Sequence, residues 1–180
     1  MSERYVALLR GVNVGGHAPV AMADLRAMAT GLRFTGVTTL LQSGNLVFAG
    51  SARATGALEL LLERTARERL DLETELFVRT ASEWRRLVAA NPFEREAKGD
   101  PARLFVMLLK DAPSETAVRR LRASITGPEA VRAADRRLYL SYPAGIGRSR
   151  LTGALIERTL GTRGTARNWN TVRKLAALVA

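Results

Sequence analysis

Apolar residues along the chain alternate between two spacings, and their order predicts the architecture. Tyr5-Val6-Ala7-Leu8-Leu9 is a short apolar run stopped by Gly11, the pattern of a buried strand. Met22, Leu25, Met28 and Leu32 recur at helical spacing. Residues 37–50, VTTLLQSGNLVFAG, read as two strands around a tight Ser43-Gly44-Asn45 turn. Leu58, Leu61, Leu62, Ala66 and Leu70 mark a second helix, and TELFVR at 74–79 a closing strand.

The same order then recurs. RLFVMLLK (103–110) is a strand, and Val118, Leu121 and Ile125 mark a helix. EAVRAA and RRLYLSY form a hairpin around Asp135. Leu151, Ala154, Leu155 and Leu160 give another helix, and GTAR (164–167) a last strand. Residue identity hardly repeats, so the duplication rests on element order. The expected fold is α+β: a tandem duplication of a ferredoxin-like β-α-β-β-α-β unit, with mainly antiparallel sheets and a C-terminal helix. The expected boundaries are 1–79 and 103–167 for the halves, with 80–102 a helical connector and 168–180 the final helix. Val172, Leu175, Ala176 and Val179 form the stripe of that helix, with Asn170 or Thr171 as its expected cap.

Composition narrows the chemistry. The chain has 180 residues and no cysteine, which excludes disulfides, thiol catalysis and thiolate metal sites. His17 is the only histidine, and acids are sparse near the polar motifs, so no metal site and no cofactor is expected. No apolar run is long enough for a membrane span and no signal peptide is legible, so a cytoplasmic protein is expected. Of 28 basic and 17 acidic residues, 9 and 8 fall in 1–80 but 19 and 9 in 81–180, which places nearly all of the +11 net charge in the second half. Such a balance favours anionic partners. Yet 25 of the 28 basic residues are arginine in an alanine-rich chain, a bias that composition alone also produces.

Polar residues concentrate at four joints of the scheme. Arg10, Asn13, Gly15 and Gly16 follow the first strand in a glycine-rich loop that matches neither the phosphate-loop nor the dinucleotide signature. Gln42, Ser43 and Asn45 sit at the first hairpin. Arg148, Ser149 and Arg150 follow two glycines before a helix, with Ser149 its expected N-cap and the arginines poised to hold an anion at its N-terminus. Arg167 and Asn168 close the last strand and have no evident structural duty, whereas Trp169 suits a core anchor. Arginine, amide, hydroxyl and backbone N–H groups bind phosphates and carboxylates but supply no obvious base. These residues are expected to line one polar cleft for a small anionic ligand. An enzyme acting on a small anionic substrate is one alternative. A nucleic-acid-binding protein using the basic second half is another, although its strands lack the aromatic signature of RNA-recognition domains.

RGVNVGG, LQSGN, NPF, GIGRSRL and TARNWNTVRKLAAL resemble the recurring motifs of the bacterial domain-of-unknown-function 1697 family, in order and over nearly the whole chain. The resemblance implies an α+β fold with a ferredoxin-like duplication. It carries no activity, and Arg150 stands where such motifs commonly have lysine.

Overall fold

The structure is a computed structural model that describes residues 2–180. It divides into two units, residues 1–89 with 175–180, and residues 90–174. The first unit contains β1 (Ser2–Leu9), α1 (Met22–Gly31), β2 (Thr35–Leu40), β3 (Asn45–Ser51), α2 (Thr55–Leu70), β4 (Leu76–Thr80) and α3 (Ala81–Ala89). The second begins with a short helix that the apolar pattern did not reveal, α4 (Glu94–Gly99), whose residues are all at least partly exposed. It continues with β5 (Leu104–Leu109), α5 (Glu115–Ala123), β6 (Ala130–Ala134), β7 (Arg137–Ser141), α6 (Gly153–Leu160), β8 (Gly164–Asn168) and α7 (Trp169–Leu178), whose last residues belong to the first unit.

Each unit has an antiparallel four-stranded sheet, in the orders β2-β3-β1-β4 and β6-β7-β5-β8. The duplication extends to register. Val6 of β1 lies between Val47 and Arg79, and Val106 of β5 lies between Tyr139 and Arg167. Leu9 N–H donates to Gly44 O in one unit, and Leu109 N–H to Arg136 O in the other. Arg10 N–H donates to Glu75 O, and Lys110 N–H to Arg163 O. The α+β duplication expected from the apolar pattern is therefore present strand by strand.

Apolar positions explain which sheet face carries the helices. Tyr5, Ala7, Leu9, Leu46, Phe48, Leu76 and Val78 alternate along their strands onto one face, where Leu25, Met28, Leu58 and Leu62 of the helices bury them. Met107, Leu109, Leu138, Leu140, Val118, Leu121 and Ile156 repeat the arrangement in the second unit. Helix α3 starts with a reciprocal cap: Glu83 N–H donates to Thr80 Oγ1 (3.1 Å) while Thr80 N–H donates to Glu83 Oε2 (2.8 Å). At the matching place in the second unit, Thr171 N–H donates to Asn168 Oδ1 (3.0 Å). The last helix is thus the counterpart of α3, and its cap is Asn168 rather than Asn170 or Thr171. Trp169 is buried, as a core anchor should be.

Candidate functional site

The two units differ most in their connections, and the sequence motifs lie there. Twelve residues (10–21) join β1 to α1, whereas five (110–114) join β5 to α5. The hairpin between β2 and β3 has a four-residue turn, that between β6 and β7 a two-residue one. In the second unit the β7–α6 connection (142–152) is long, where the first unit has only 52–54.

In the first unit, loop and hairpin form one construction. Asn13 adopts a left-handed backbone (φ 54°), and its side chain ties three points together. Nδ2 donates to Val20 O (3.0 Å) and Gln42 O (2.8 Å), while Oδ1 accepts from Val20 N–H (2.8 Å). Gly15 and Gly16 are the central pair of a tight turn closed by His17 N–H to Val14 O (2.9 Å). Both have positive φ (58° and 77°), the requirement of a type I′ turn, so turn geometry accounts for both glycines. Gly44 has φ 79°, and a Cβ there would lie 2.7 Å from Val12 Cγ2 and 2.8 Å from Leu9 Cβ, so only glycine fits. Asn45 is fully buried and donates to Leu40 O (2.7 Å) and Ser43 Oγ (3.0 Å). Arg10 pairs with Glu75 at 3.8 Å. Asn13 and Asn45 therefore hold the backbone of this end, and Ser43 accepts from the Asn45 amide. The Gln42 side chain is exposed there, together with Val14 and Leu41.

In the second unit, Ile146–Arg148 form a single 3-10 turn, and α6 starts later, at Gly153. The N-cap is Thr152, whose Oγ1 accepts from Leu155 N–H (3.2 Å). Ser149 is not the cap: its Oγ accepts from Leu151 N–H (3.0 Å) and donates to Glu129 Oε1 in a very short hydrogen bond. Arg148 and Arg150 consequently precede the helix by several residues and do not oppose its dipole. Both are exposed and line one groove of about 410 Å³ with Gly127, Glu129, Leu151 and Leu155. Among the described residues neither guanidinium has an ion pair or hydrogen bond. Nearby, Tyr142 donates to Leu151 O (3.0 Å), and burial followed by the charge of Glu129 pushes its hydroxyl up to about 12. A larger groove of about 610 Å³, between α5 and the β6–β7 turn, is lined by Arg119 and Asp135. There Arg119 has Glu115 at 3.7 Å.

Arg167 is buried, against the expectation that it had no structural duty. Its Nη1 donates to Thr165 Oγ1 and Ala166 O, both at 2.9 Å, and burial lowers its pKa to about 10. Asn168 caps α7. Three charged residues of consequence escaped the sequence reading. Glu129 engages Ser149, and Glu59 and Arg79 form a buried pair at 3.5 Å. A signal existed for the last two. Glu59 stands beside Leu58 and Leu62 on an apolar helix stripe, and Arg79-Thr80 and Arg167-Asn168 both close a strand before a helix.

Among the described residues no group of three or more acidic or histidine side chains is placed to hold a metal ion, and no helix is long and apolar enough to cross a membrane. A conserved bacterial protein of Streptococcus pneumoniae has a similar fold, with a TM-score of 0.77 at 20% sequence identity over 100% of both chains. Curated proteins gave no match. The model of the DUF1697 family, described as proteins of unknown function, matches residues 2–139, which takes in the loop and hairpin motifs and the Gly127–Glu129 wall of the groove but stops before Arg148 and Arg150. The chain belongs to the DUF1697 family.

Proposed function

We propose that this protein binds a small anionic ligand, phosphorylated or carboxylated, in the groove flanked by Arg148 and Arg150. The observation that carries the reading is the state of these two side chains. Both border the same groove, and no carboxylate neutralises either. Two like charges held near one concavity repel, and an anion between them relieves that repulsion. The neighbouring acid, Glu129, is engaged by Ser149, which fixes its carboxylate on the groove wall. Its charge disfavours highly charged ligands pressed against that wall and favours an anion held at the arginine side.

Each charge-assisted contact contributes ~1.5–3 kcal/mol. Replacing either arginine by alanine should therefore weaken binding about tenfold or more. A thermal-shift screen over inorganic phosphate, pyrophosphate, nucleotides, sugar phosphates and di- and tricarboxylates, followed by calorimetry, tests this. The reading requires at least one ligand that stabilises the wild type and fails to stabilise Arg148→Ala/Arg150→Ala. No stabilising ligand in the screen, or an undiminished shift in the double variant, would overturn it. Binding of RNA or DNA alone, with a steep salt dependence, would replace it by the nucleic-acid alternative.

A further inference from the structure

Strands β4 and β8 are edges of their sheets. Along an antiparallel edge strand, alternate N–H groups point off the sheet and need another partner. In β4 these belong to Leu76, Val78 and Thr80, and each donates to a glutamate: Glu63 Oε1 at 2.9 Å, Glu59 Oε1 at 2.8 Å and Glu83 Oε2 at 2.8 Å. One side of the first unit is thus closed by three carboxylates.

The second unit keeps the frame and changes the closure. Lys110 N–H donates to Arg163 O, so alternation places the N–H groups of Gly164, Ala166 and Asn168 off the edge of β8. Gly164 donates to Glu157 Oε1 at 3.0 Å, just as Leu76 donates to Glu63. Glu157 is therefore the counterpart of Glu63, and one helical turn earlier the counterpart of Glu59 is Gly153. Gly153 is exposed, and a Cβ built on it meets nothing within 4 Å. No hydrogen bond among the described residues reaches the Ala166 N–H from this side. Arg167 meanwhile repeats Arg79: each Nη1 donates to the carbonyl of the preceding residue, Val78 O at 2.8 Å and Ala166 O at 2.9 Å.

We propose that the second unit takes a ligand carboxylate at the Ala166 N–H, over Gly153 and beside Arg167, in the place that the Glu59 carboxylate fills in the first unit. The first unit supplies the template for the ligand. A planar carboxylate there accepts from a strand N–H with one oxygen and lies 3.5 Å from a buried guanidinium. Gly153 removes the built-in carboxylate and leaves solvent access to the same donor. The carboxylate can come from a small molecule or from the C-terminus of a peptide. The site is separate from the Arg148/Arg150 groove and does not depend on it.

Amide NMR of the full chain reads the site directly. Sodium acetate, and in a second arm a peptide whose only carboxylate is its C-terminus, should move the Ala166 amide resonance downfield and saturably. Sodium chloride at matched ionic strength should not. A single carboxylate is expected to bind with Kd on the order of 1–100 mM, and the arm that binds more tightly identifies the source. Gly153→Glu should shift the Ala166 amide without added carboxylate and abolish its response. Gly153→Ala, which adds no acceptor, should respond as the wild type does. An Ala166 amide that ignores both carboxylates at ~0.1 M, or one that responds equally in Gly153→Glu, would overturn the proposal. Neither result bears on Arg148→Ala/Arg150→Ala, so failure here is distinguishable from failure of the groove.

Discussion

Arg79 and Arg167 occupy the same register in the two sheets, opposite Val6 and Val106, and both are buried. Their surroundings differ at two positions. Glu59 reaches Arg79 from α2, where α6 has Gly153. Phe77 lies two residues before Arg79, where Thr165 lies two before Arg167 and gives it a hydroxyl oxygen as acceptor. One copy therefore answers a buried cation with a charge and closes its sheet edge with the same group. In the other, Thr165 Oγ1 and Ala166 O accept from the buried cation, and the helix position matching Glu59 is a glycine. Duplication preserves hydrogen-bond frame and register. Single side-chain exchanges on the helix covering the edge decide whether a site is filled from within.

Removing the internal carboxylate should break the first copy. Glu59→Ala takes its carboxylate away from a buried guanidinium and its acceptor away from the Val78 N–H, a loss of ~3–5 kcal/mol. Glu59→Gln removes the charge but keeps an acceptor for the Val78 N–H, so it should cost clearly less. Urea denaturation of both variants checks the order. If the two lose equal stability, charge compensation is not what Glu59 contributes.

The helix caps sharpen the comparison at a smaller scale. Asn168→Ala and Thr80→Ala should each cost about 1 kcal/mol, because each removes the side-chain acceptor for a first-turn N–H. A negligible effect at Asn168 alone would separate α7 from α3.

The smallest expected effect is alkaline. The Tyr142 hydroxyl, held at about 12, stays protonated where its unfolded counterpart, near 10, ionises. Its contribution is complete below pH 10 and lost as pH rises through 12. Arg167 acts with the opposite sign. Burial lowers its pKa to about 10, so as pH rises past that value the unfolded chain holds the extra proton and stability rises with pH. Tyr142→Phe should flatten the alkaline decline in denaturation curves collected across this range. A decline unchanged in Tyr142→Phe would assign it to other groups.

Element order was legible because each strand and helix buries one face, and burial prints a period on the sequence. The cap of α7 was misplaced by two or three residues because Asn168, Asn170 and Thr171 are all competent caps, and only the end of β8 selects Asn168. Ser149 was misread for a similar reason. A serine ahead of a helix has the right chemistry, but the 3-10 turn at Ile146–Arg148 delays the helix to Gly153. The polar motifs were correctly located at the joints, yet Asn13 and Asn45 bond backbone groups, and Ser43 accepts from the Asn45 amide. Sequence shows that an amide is present and does not show which carbonyl it meets. Glu59 and Arg79 were overlooked because charged residues read as surface, although Glu59 lies on the apolar stripe of its helix and Arg79 repeats the strand-end position of Arg167.

Hydrogen exchange at two amides tests the central comparison most directly. Val78 and Ala166 occupy matching edge positions, one facing Glu59 and the other Gly153. Exchange is measured for both in the wild type, Glu59→Gly and Gly153→Glu. The account predicts that Gly153→Glu slows exchange at Ala166 and that Glu59→Gly accelerates it at Val78, so that the two copies trade behaviour. Unchanged exchange at Ala166 in a folded Gly153→Glu would contradict it, because Gly153 would then not stand where Glu59 does.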